Sequence, residues 1–390
     1  MSELAARLVP SALGAVGISW GKSGLRAVVL PHDSEAATAR ALRQRCGAPA
    51  LAVQPSATSA RGAEHPIDRV AARVARHLAG ELDALDDVPL ELDDVSPFAR
   101  RVYQALRRVG PGAVTTYGDL ARAAEAPVGA ARAVGAAMGH NPLPLVVPCH
   151  RVLGKNDMGD FSSPGGLRTK LRLLTLERVD AAVLVERGVN ALRADETLGP
   201  IIRRVGQCRI GERGAPDALT ALSRSIVHQQ VSLAAGRTIF GRLLSACGDG
   251  ARTLDGDRVL AAAPEVLRGA GLSARKAETV REIAERYRGG EIDEQRLARL
   301  DDEQAIEALT NIKGVGRWTA EMFLMFQLAR LDVLPLGDVG LQRAMQRAFG
   351  IKKKPAPRTM TRLAKPWTPF RSVGCWYLWR GLDGDLFSAM

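Results

Sequence analysis

The stretch Leu143–Val152, LPLVVPCHRV, sets the first hypothesis about this chain. Its apolar run predicts a buried β-strand, and Pro148 ends that strand directly before a cysteine, a histidine and an arginine. A neutral thiol is a weak nucleophile near neutral pH, and a basic neighbour can activate it, for which His150 and Arg151 are the candidates. A cysteine at the end of a buried strand is, by itself, more often a packing residue. The stretch therefore marks Cys149 as a candidate nucleophile and leaves its role to the surrounding sequence.

Short patterns on both sides of this stretch indicate the fold. Residues 13–30 hold two short apolar runs around the turn signal GKSG, which predicts a β-hairpin. Helical periodicity predicts helices over residues 34–46, 66–84, 116–139 and 167–177. The third of these segments reads as two short helices with helix-turn-helix spacing. From about residue 183 the pattern is almost entirely helical. The sequence therefore predicts an α+β first half and an all-α second half.

Length and charge point to several domains and a polyanionic partner. The 390 residues exceed what one hydrophobic core usually organises, so two or three domains are expected. Lys and Arg number 54 against 42 Asp and Glu, and the formal charge of +12 favours nucleic acid as the partner. Residues 1–94 carry a net charge of −2, whereas residues 95–178 and 179–390 carry +7 each. We therefore expect DNA to contact two separate regions beyond residue 94.

The cysteines and the hydropathy argue against other classes of protein. Five cysteines are odd in number, widely spaced and without a C-x-x-C pair, so the sequence supports neither a disulfide framework nor a zinc or iron-sulfur site. No window reaches the roughly 18 uninterrupted apolar residues of a membrane-spanning helix. The N-terminal segment does not resemble a signal peptide. We expect an intracellular, cytoplasmic, DNA-associated protein with no membrane partner and no cofactor.

Several segments of the first half resemble the O6-alkylguanine-DNA alkyltransferases, also called methylated-DNA–protein-cysteine methyltransferases. In chain order they are VTTYGDLARAA (114–124), AARAVGAAMGHNP (130–142), PCHRV (148–152), GDFSSPGG (159–166) and LRLLTLE (171–177). The similarity extends over roughly residues 13–178. It implies a small ribonuclease-H-like β domain over residues 1–94 and a helical, winged-helix-like domain with the DNA-binding and active site over residues 95–178.

The same resemblance implies roles for individual residues. Cys149 would accept the alkyl group from guanine O6 once per molecule, His150 would deprotonate the thiol through a water, and Glu177 would hold His150. Four further residues match positions that contact the rotated base or the DNA: Tyr117, Arg132, Asn141 and Ser162. Arg132 would fill the space that the rotated base leaves, and Tyr117 would donate a proton toward the departing guanine. Phe161 stands where many members have Tyr, which leaves the range of alkyl groups open.

Two segments of the second half suggest a further site. Residues 309–326, LTNIKGVGRWTAEMFLMF, place a glycine turn between two helices, and the backbone N–H groups freed there can meet a phosphate. Residues 331–344, LDVLPLGDVGLQRA, place Asp338 after a Leu-Gly pair. Taken alone, such a glycine turn is more often a simple helix connection, and such an aspartate is more often a helix N-cap.

Together with LSRSIVHQQVSLAAG (222–236) and PFRSVGCWYLWRGLD (369–383), these segments resemble the helix-hairpin-helix DNA glycosylases, most closely the 3-methyladenine glycosylases. The match spans about residues 185–390 and implies a glycosylase domain over residues 183–390. It implies that Asp338 stabilises the positive charge that develops on the deoxyribose as the N-glycosidic bond breaks.

Further positions carry implications from this second resemblance. Residues that match contacts with DNA or with the damaged base are Gln230, Gly314, Gly316, Trp318 and Trp379. Gln230 would wedge into the duplex, and the two indoles would line the base pocket, although core packing also explains tryptophans near the C-terminal helix. Trp318 stands where members that also cleave the strand place a Lys nucleophile, which implies no lyase activity. The carbonyls of Thr310, Ile312 and Val315 match a monovalent-cation site of some members.

These predictions combine into a monomeric, fused repair enzyme that acts on double-stranded DNA with alkylated bases. It would transfer alkyl groups from guanine O6 to Cys149 and excise N-alkylated purines with Asp338. The alternative is that one half is a catalytically inactive lesion-binding module, against which the intact candidate residues of both halves argue. A regulator that senses its own methylation would need a zinc-cysteine module, and the first ninety residues hold only Cys46.

Overall fold

The chain divides into two compact units, Met1–Arg187 and Gly188–Met390, which are described separately. The computed structural model describes residues 4–49, 51–55, 65–212, 215–249, 252–384 and 386–389. Within these residues, no helix is both long and apolar enough to cross a membrane. The first unit is mixed α and β and the second is helical, which confirms the predicted fold class at that level.

A small mixed sheet opens the first unit. Its strands are β1 (Ala5–Val9), β2 (Val16–Trp20), β3 (Leu25–Val29) and β4 (Gln54–Pro55). The order in the sheet is β3-β2-β1-β4, with β1–β2 and β2–β3 antiparallel and β1–β4 parallel. The antiparallel pairing of β2 with β3 confirms the hairpin predicted over residues 13–30. The short strand β1 was not predicted.

Among the described residues up to Leu192, seven α-helices and a second pair of strands accompany this sheet, and the last helix extends past the end of the first unit. The helices are α1 (Glu35–Cys46), α2 (Pro66–Leu78), α3 (Pro97–Arg107), α4 (Tyr117–Ala123), α5 (Ala131–Gly139), α6 (Leu167–Leu176) and α7 (Ala181–Leu192). The strands β5 (Thr115–Thr116) and β6 (Val152–Leu153) pair in parallel. Side-chain caps fix the helix starts: Ser34 accepts from the Ala37 N–H and Ser96 from the Ala99 N–H.

Two sequence predictions about these elements were wrong. The helix predicted over residues 66–84 ends at Leu78, because the chain turns back until the Asp83 N–H donates to Nδ1 of His77 at 3.1 Å. The strand predicted for the LPLVVPCH run is a series of turns followed by a 3-10 turn, Cys149–Arg151. Its two prolines, Pro144 and Pro148, provide no N–H for a ladder, and Leu145 has a left-handed backbone with φ of 75°.

One hydrophobic core connects the sheet to these turns. It contains Ile18 of β2, Val74 of α2 and Val102 of α3, and also Val147 and Cys149 of the turn segment. The apolar side chains of this run are therefore buried as predicted, although the run does not form a strand. The turn that holds Cys149 is consequently packed against the N-terminal sheet and helices.

The second unit is built from helices that pack on one another. They are α8 (Leu198–Val205), α9 (Ala218–His228), α10 (Leu233–Cys247), α11 (Gly256–Ala261), α12 (Pro264–Gly269), α13 (Ala274–Arg288), α14 (Glu294–Arg299), α15 (Asp302–Thr310), α16 (Arg317–Phe326), α17 (Val339–Ala348), α18 (Pro357–Leu363) and α19 (Arg371–Asp383). Among the described residues of this unit, extended pairing is limited to one isolated bridge between Gly248 and Leu254.

Candidate functional sites

The first candidate site is a cavity of about 500 Å³ that reaches Cys149. This volume lies within the range of about 300–1,000 Å³ that small-molecule sites usually have. The lining comes from the start of α4, from the small residues of α5 and from the loop before α6. The structure brings four predicted site residues to this cavity: Tyr117, Arg132, Cys149 and Ser162. Phe161 also lines it.

The thiol of Cys149 lies almost completely buried at the start of the 3-10 turn, with 7% of the residue exposed. Burial raises the pKa of this thiol, while the Asn141 amide and the Lys170 ammonium act in the opposite direction. Asn141 fixes the turn itself, because its Nδ2 donates to the Val147 carbonyl at 2.8 Å and its Oδ1 accepts from the Leu143 N–H at 3.0 Å. The buried thiol therefore requires a base before it can react as a thiolate.

A buried carboxylate network lies beside the thiol. His150 Nε2 is 3.0 Å from Glu177 Oε1, and Arg151 donates to both carboxylate oxygens, from Nε at 2.8 Å and from Nη2 at 2.7 Å. Burial opposes ionisation of Glu177, but the hydrogen bonds from Arg151, His150 and His77 outweigh it and hold the pKa of Glu177 below its usual range. Glu177 is therefore an ionised hydrogen-bond acceptor for its neighbours.

His150 is kept neutral by its complete burial. Burial lowers the pKa of His150 in spite of the facing carboxylate. Because Nε2 faces the Glu177 carboxylate, we assign the ring proton to Nε2 and the lone pair to Nδ1. His150 Nδ1 is buried and has no hydrogen-bond partner among the described residues. The imidazole can therefore accept a proton at Nδ1.

Tyr117 begins α4 and faces the same cavity. Burial raises the pKa of its phenol, against which the Asp160 backbone N–H acts. Gly159 lies against the ring with φ of 62°, and a Cβ added there would be 2.8 Å from the Tyr117 hydroxyl oxygen. Only glycine combines this backbone with this close approach. The loop before α6 therefore fits the phenol closely.

The remaining residues of the first site lie at the cavity mouth. Arg132 is the second residue of α5 and is exposed. The α5 surface beside it carries Gly135, Ala136 and Gly139, whose small side chains leave room for a close approach. Ser162 is exposed, and its hydroxyl donates to the Gly139 carbonyl at 3.4 Å. Arg132 thus has an unobstructed position from which to enter a nucleic-acid groove.

The second candidate site centres on Asp338, which is the N-cap of α17 and accepts from the Leu341 N–H. Two indoles also donate to its carboxylate: Trp318 Nε1 to Oδ2 at 2.7 Å and Trp379 Nε1 to Oδ1 at 2.9 Å. Capping and a chemical role are therefore compatible at this residue. The structure brings Asp338, Trp318 and Trp379 together, with the indoles meeting the carboxylate through their N–H edges.

The glycine turn between α15 and α16 is tightly packed. Gly314 has φ of 89°, and a Cβ there would collide with Thr279 of α13. Gly316 caps α16 without any side-chain cap, so the first-turn N–H groups remain available for an acceptor such as phosphate. The Ile312 carbonyl accepts from the Val315 N–H at 3.0 Å within the turn. The cation site on the carbonyls of Thr310, Ile312 and Val315 stays a prediction.

Gln230 lies in the turn between α9 and α10. It is exposed and has a left-handed backbone with φ of 55°, which is uncommon for a residue other than glycine. Two hydrogen bonds connect this turn to α13 and α16: Lys276 Nζ donates to the Gln229 carbonyl at 2.7 Å, and Gln229 Nε2 donates to Thr319 Oγ1 at 3.0 Å. Gln230 therefore has a strained backbone and lies in an exposed turn that is hydrogen-bonded to α13 and α16.

Sequence reasoning missed two residues of the first site and misread a third. His77 contacts Glu177 from α2, and no motif marks it. Lys170 is fully buried, donates from Nζ to the Val152 carbonyl at 2.7 Å, and has its pKa lowered by burial to about 8. Its place on the apolar face of α6 could have revealed it. Arg151, considered as a basic neighbour of the thiol, instead pairs with Glu177. All five cysteines are free and buried.

Comparisons with known families match both halves of the chain. Residues 97–179 match the model of the 6-O-methylguanine DNA methyltransferase DNA binding domain. Residues 223–369 match the model of the HhH-GPD superfamily of base excision DNA repair proteins.

Individual relatives agree with these matches. DNA-3-methyladenine glycosylase 1 of Schizosaccharomyces pombe is 33% identical over 190 residues, which are 48% of this chain and 82% of the relative. The methylated-DNA–protein-cysteine methyltransferase of Mycolicibacterium paratuberculosis is 47% identical over 108 residues, 27% of this chain and 62% of the relative. A solved S. pombe 3-methyladenine DNA glycosylase in complex with abasic DNA is 31% identical, with 50% of this chain and 96% of that chain covered and a TM-score of 0.47.

Proposed function

Because the chain belongs to the helix-hairpin-helix 3-methyladenine glycosylases through its second half and to the methylated-DNA methyltransferases through residues 97–179, we propose that it repairs alkylated DNA by two activities. The first unit transfers an alkyl group from guanine O6 to Cys149. The second unit hydrolyses the N-glycosidic bond of N-alkylated purines. The substrate of both is double-stranded DNA, and the chain acts as a monomer without a cofactor.

The observation that carries the first activity is the cavity over Cys149 with a neutral His150 behind it. The thiol proton moves through a water to His150 Nδ1, and the resulting imidazolium is stabilised by Glu177. The thiolate sulfur attacks the alkyl carbon, a C–S bond forms and the carbon–O6 bond breaks. The bonding electrons leave with the guanine, which takes a proton from the Tyr117 hydroxyl. Because water does not cleave the thioether, each molecule reacts once.

Access to the base requires rotation of the nucleotide out of the duplex. Arg132 on the exposed start of α5 enters the groove and occupies the vacated space, and the small residues of α5 permit the close approach. Ser162 borders the flipped guanine at the cavity mouth. Asn141 keeps the Cys149 turn in shape through its two backbone hydrogen bonds.

The second activity rests on the carboxylate of Asp338 at the start of α17. As the bond between the sugar and the alkylated base breaks, positive charge develops on the deoxyribose and Asp338 stabilises it. The base departs with the bonding electrons, which neutralise its charge, and water adds to the sugar carbon and gives its surplus proton to the Asp338 carboxylate. Trp318 and Trp379 border the cationic base, to which aromatic faces are attracted. Position 318 provides no amine for a Schiff base, so the glycosylase is monofunctional.

DNA contacts in the second unit come from the strained Gln230 turn and from the hairpin of Gly314 and Gly316. Gln230 wedges into the duplex after base rotation, and the uncapped start of α16 binds a phosphate. In the first unit, the strand order β3-β2-β1-β4 with a parallel outer pair supports a ribonuclease-H-like domain. The paired α4 and α5 support a winged-helix-like domain after it.

Two measurements test this function. Incubation with duplex DNA carrying O6-methylguanine should add one methyl group to the Cys149 peptide, measured by mass spectrometry; no adduct, or one on another residue, would refute the first activity. The full chain should release free 3-methyladenine from methylated DNA, and the release should collapse in Asp338→Asn. Asn keeps an oxygen to cap α17, so persistent release in this variant would show that another group supports the bond cleavage.

A further inference from the structure

His77 contacts the proposed alkyl-transfer site from outside the motif segments. Its Nε2 lies 3.1 Å from Glu177 Oε1, the oxygen that His150 Nε2 contacts at 3.0 Å. His77 is 1% exposed, and Glu177 and His150 are fully buried. We propose that His77 is a positioning residue for alkyl transfer, which holds Glu177 so that His150 keeps Nδ1 free for the thiol proton. This inference rests on the proposed transfer to Cys149.

The hydrogen bonds around His77 define its tautomer. The Asp83 backbone N–H donates to Nδ1 at 3.1 Å, so Nδ1 carries a lone pair. The ring proton is therefore on Nε2, which donates to Glu177. A protonated ring would place two N–H groups face to face at Nδ1. His77 therefore acts in this arrangement as a neutral hydrogen-bond donor to the carboxylate.

This donor changes what Glu177 offers to His150. Oε1 accepts from His77, from His150 and from Arg151 Nη2 at 2.7 Å, and Oε2 accepts from Arg151 Nε at 2.8 Å. Each donor lowers the basicity of the carboxylate. Without His77, Oε1 would interact more strongly with His150 and would favour its protonated form. His77 thus helps His150 to remain a neutral base.

The position of His77 gives the N-terminal segment a role in the chemistry. His77 lies on α2, whose residues Val74 and Leu78 pack in the core of the first unit. Residues 1–94, which carry a net negative charge and lie outside the regions where we expect DNA to bind, therefore contribute His77 to the buried side of the site. Asp68, in the first turn of the same helix, pairs with Arg7 at 2.7 Å and does not contact Glu177.

Two substitutions at position 77 separate hydrogen bonding from packing. His77→Phe keeps the bulk of a ring and removes the donor, whereas His77→Gln keeps an N–H that can reach Glu177. The readout is the second-order rate constant of methyl transfer to Cys149 of the full chain, measured from about pH 5 to about pH 9. The titratable and charged groups at the site are Cys149, His150, Arg151, Lys170 and Glu177. Asp83 lies beside His77, Tyr103 and Tyr117 interact with Cys149, and Asp157 and Asp160 interact with Lys170.

We expect His77→Phe to lower the rate constant about tenfold, because one hydrogen bond to a charged group is lost. The acidic limb of its pH profile should move to higher pH, since His150 then binds a proton more readily. His77→Gln should stay within about threefold of the wild type. Asp68→Asn should lower thermal stability and leave the rate constant and the acidic limb unchanged. This control separates a loss of stability from a loss of positioning.

Three results would overturn the inference: a wild-type rate and profile in His77→Phe, equal losses in the Phe and Gln variants, or the same shift of the limb in Asp68→Asn. If His77→Phe does not fold, the tautomer of His77 in the wild-type chain tests the inference instead. In the ¹⁵N spectrum of the wild-type chain with labelled histidines, His77 should carry its proton on Nε2, and a proton on Nδ1 would contradict the proposal. If the wild type accepts no methyl group, the proposed function fails, and the tautomer still tests the network.

Discussion

Replacement of Glu177 by Gln should strongly destabilise the first unit, because it leaves a buried cation without its counter-charge. Arg151 is 1% exposed and directs Nε and Nη2 at Glu177, while Nη1 donates to the Val109 carbonyl. Removal of one partner from a buried ion pair costs about 3–5 kcal/mol. A domain is typically stable by about 5–15 kcal/mol, so the loss is a large part of the total.

A double-mutant cycle distinguishes this explanation from a simple loss of contacts. In Glu177→Gln combined with Arg151→Met, no unpaired charge remains, so the double variant should lose clearly less stability than the sum of the two single losses. Hydrogen exchange in urea, followed on peptides from α2, α3 and α6, reports on the first unit alone. The reasoning is refuted if Glu177→Gln costs less than about 1 kcal/mol or if the two losses simply add.

The same network predicts how the stability of the first unit depends on pH. Burial lowers the pKa of His150 from its ordinary 6.5. Below pH 6.5 the unfolded chain therefore binds a proton that the folded chain does not, and the stability of the first unit decreases as the pH is lowered. The pKa of Glu177 is also below its ordinary 4.5, which adds a second loss below pH 4.5. Urea unfolding at a series of pH values should show both losses, and the second should be absent in Glu177→Gln.

Two further variants test the contacts around each site. Gly159→Ala should slow methyl transfer about tenfold, because the new Cβ would lie 2.7 Å from the Tyr117 ring. The control Gly129→Ala, at φ of 85° with no atom within 4 Å of the new Cβ, should change stability only. Equal transfer rates in the two variants would contradict the proposed fit. Trp318→Phe should lower single-turnover release of 3-methyladenine about tenfold, because Asp338 loses the donor to Oδ2. An unchanged release rate would show that this hydrogen bond does not position the carboxylate.

The sequence predicted those parts of the fold that depend on local patterns. The hairpin of β2 and β3 and the helices α1, α5 and α6 follow from apolar periodicity and turn residues that lie close together in the chain. The run before Cys149 misled the prediction because burial and strand pairing give the same apolar signal. Its prolines, which prevent a ladder, were the evidence against a strand.

The candidate sites show the same division between local and long-range information. Cys149 and His150 are adjacent in the sequence, and Asp338 lies in a short motif, so resemblance was enough to propose them. His77 contacts Glu177, which lies 100 positions later in the chain. Its tautomer depends on the Asp83 N–H, which lies in a turn that the sequence pattern predicts as part of a helix. Such contacts depend on how α2 packs, which no short pattern encodes. The two indole donors to Asp338 were proposed as pocket walls, and only the structure shows their N–H bonds.

The two carboxylates have opposite surroundings, and their proposed roles require this. Glu177 is fully buried and paired bidentately with Arg151, so its charge is largely neutralised and it acts only through His150. Asp338 is half-buried, and its donors among the described residues are neutral: one backbone N–H and two indoles. Neutral donors fix the position of a carboxylate without cancelling its charge. The negative charge of Asp338 therefore remains available to stabilise a sugar cation. If Glu177 carried an equally unbalanced charge, it would hold a proton on His150, which has to receive and release that proton.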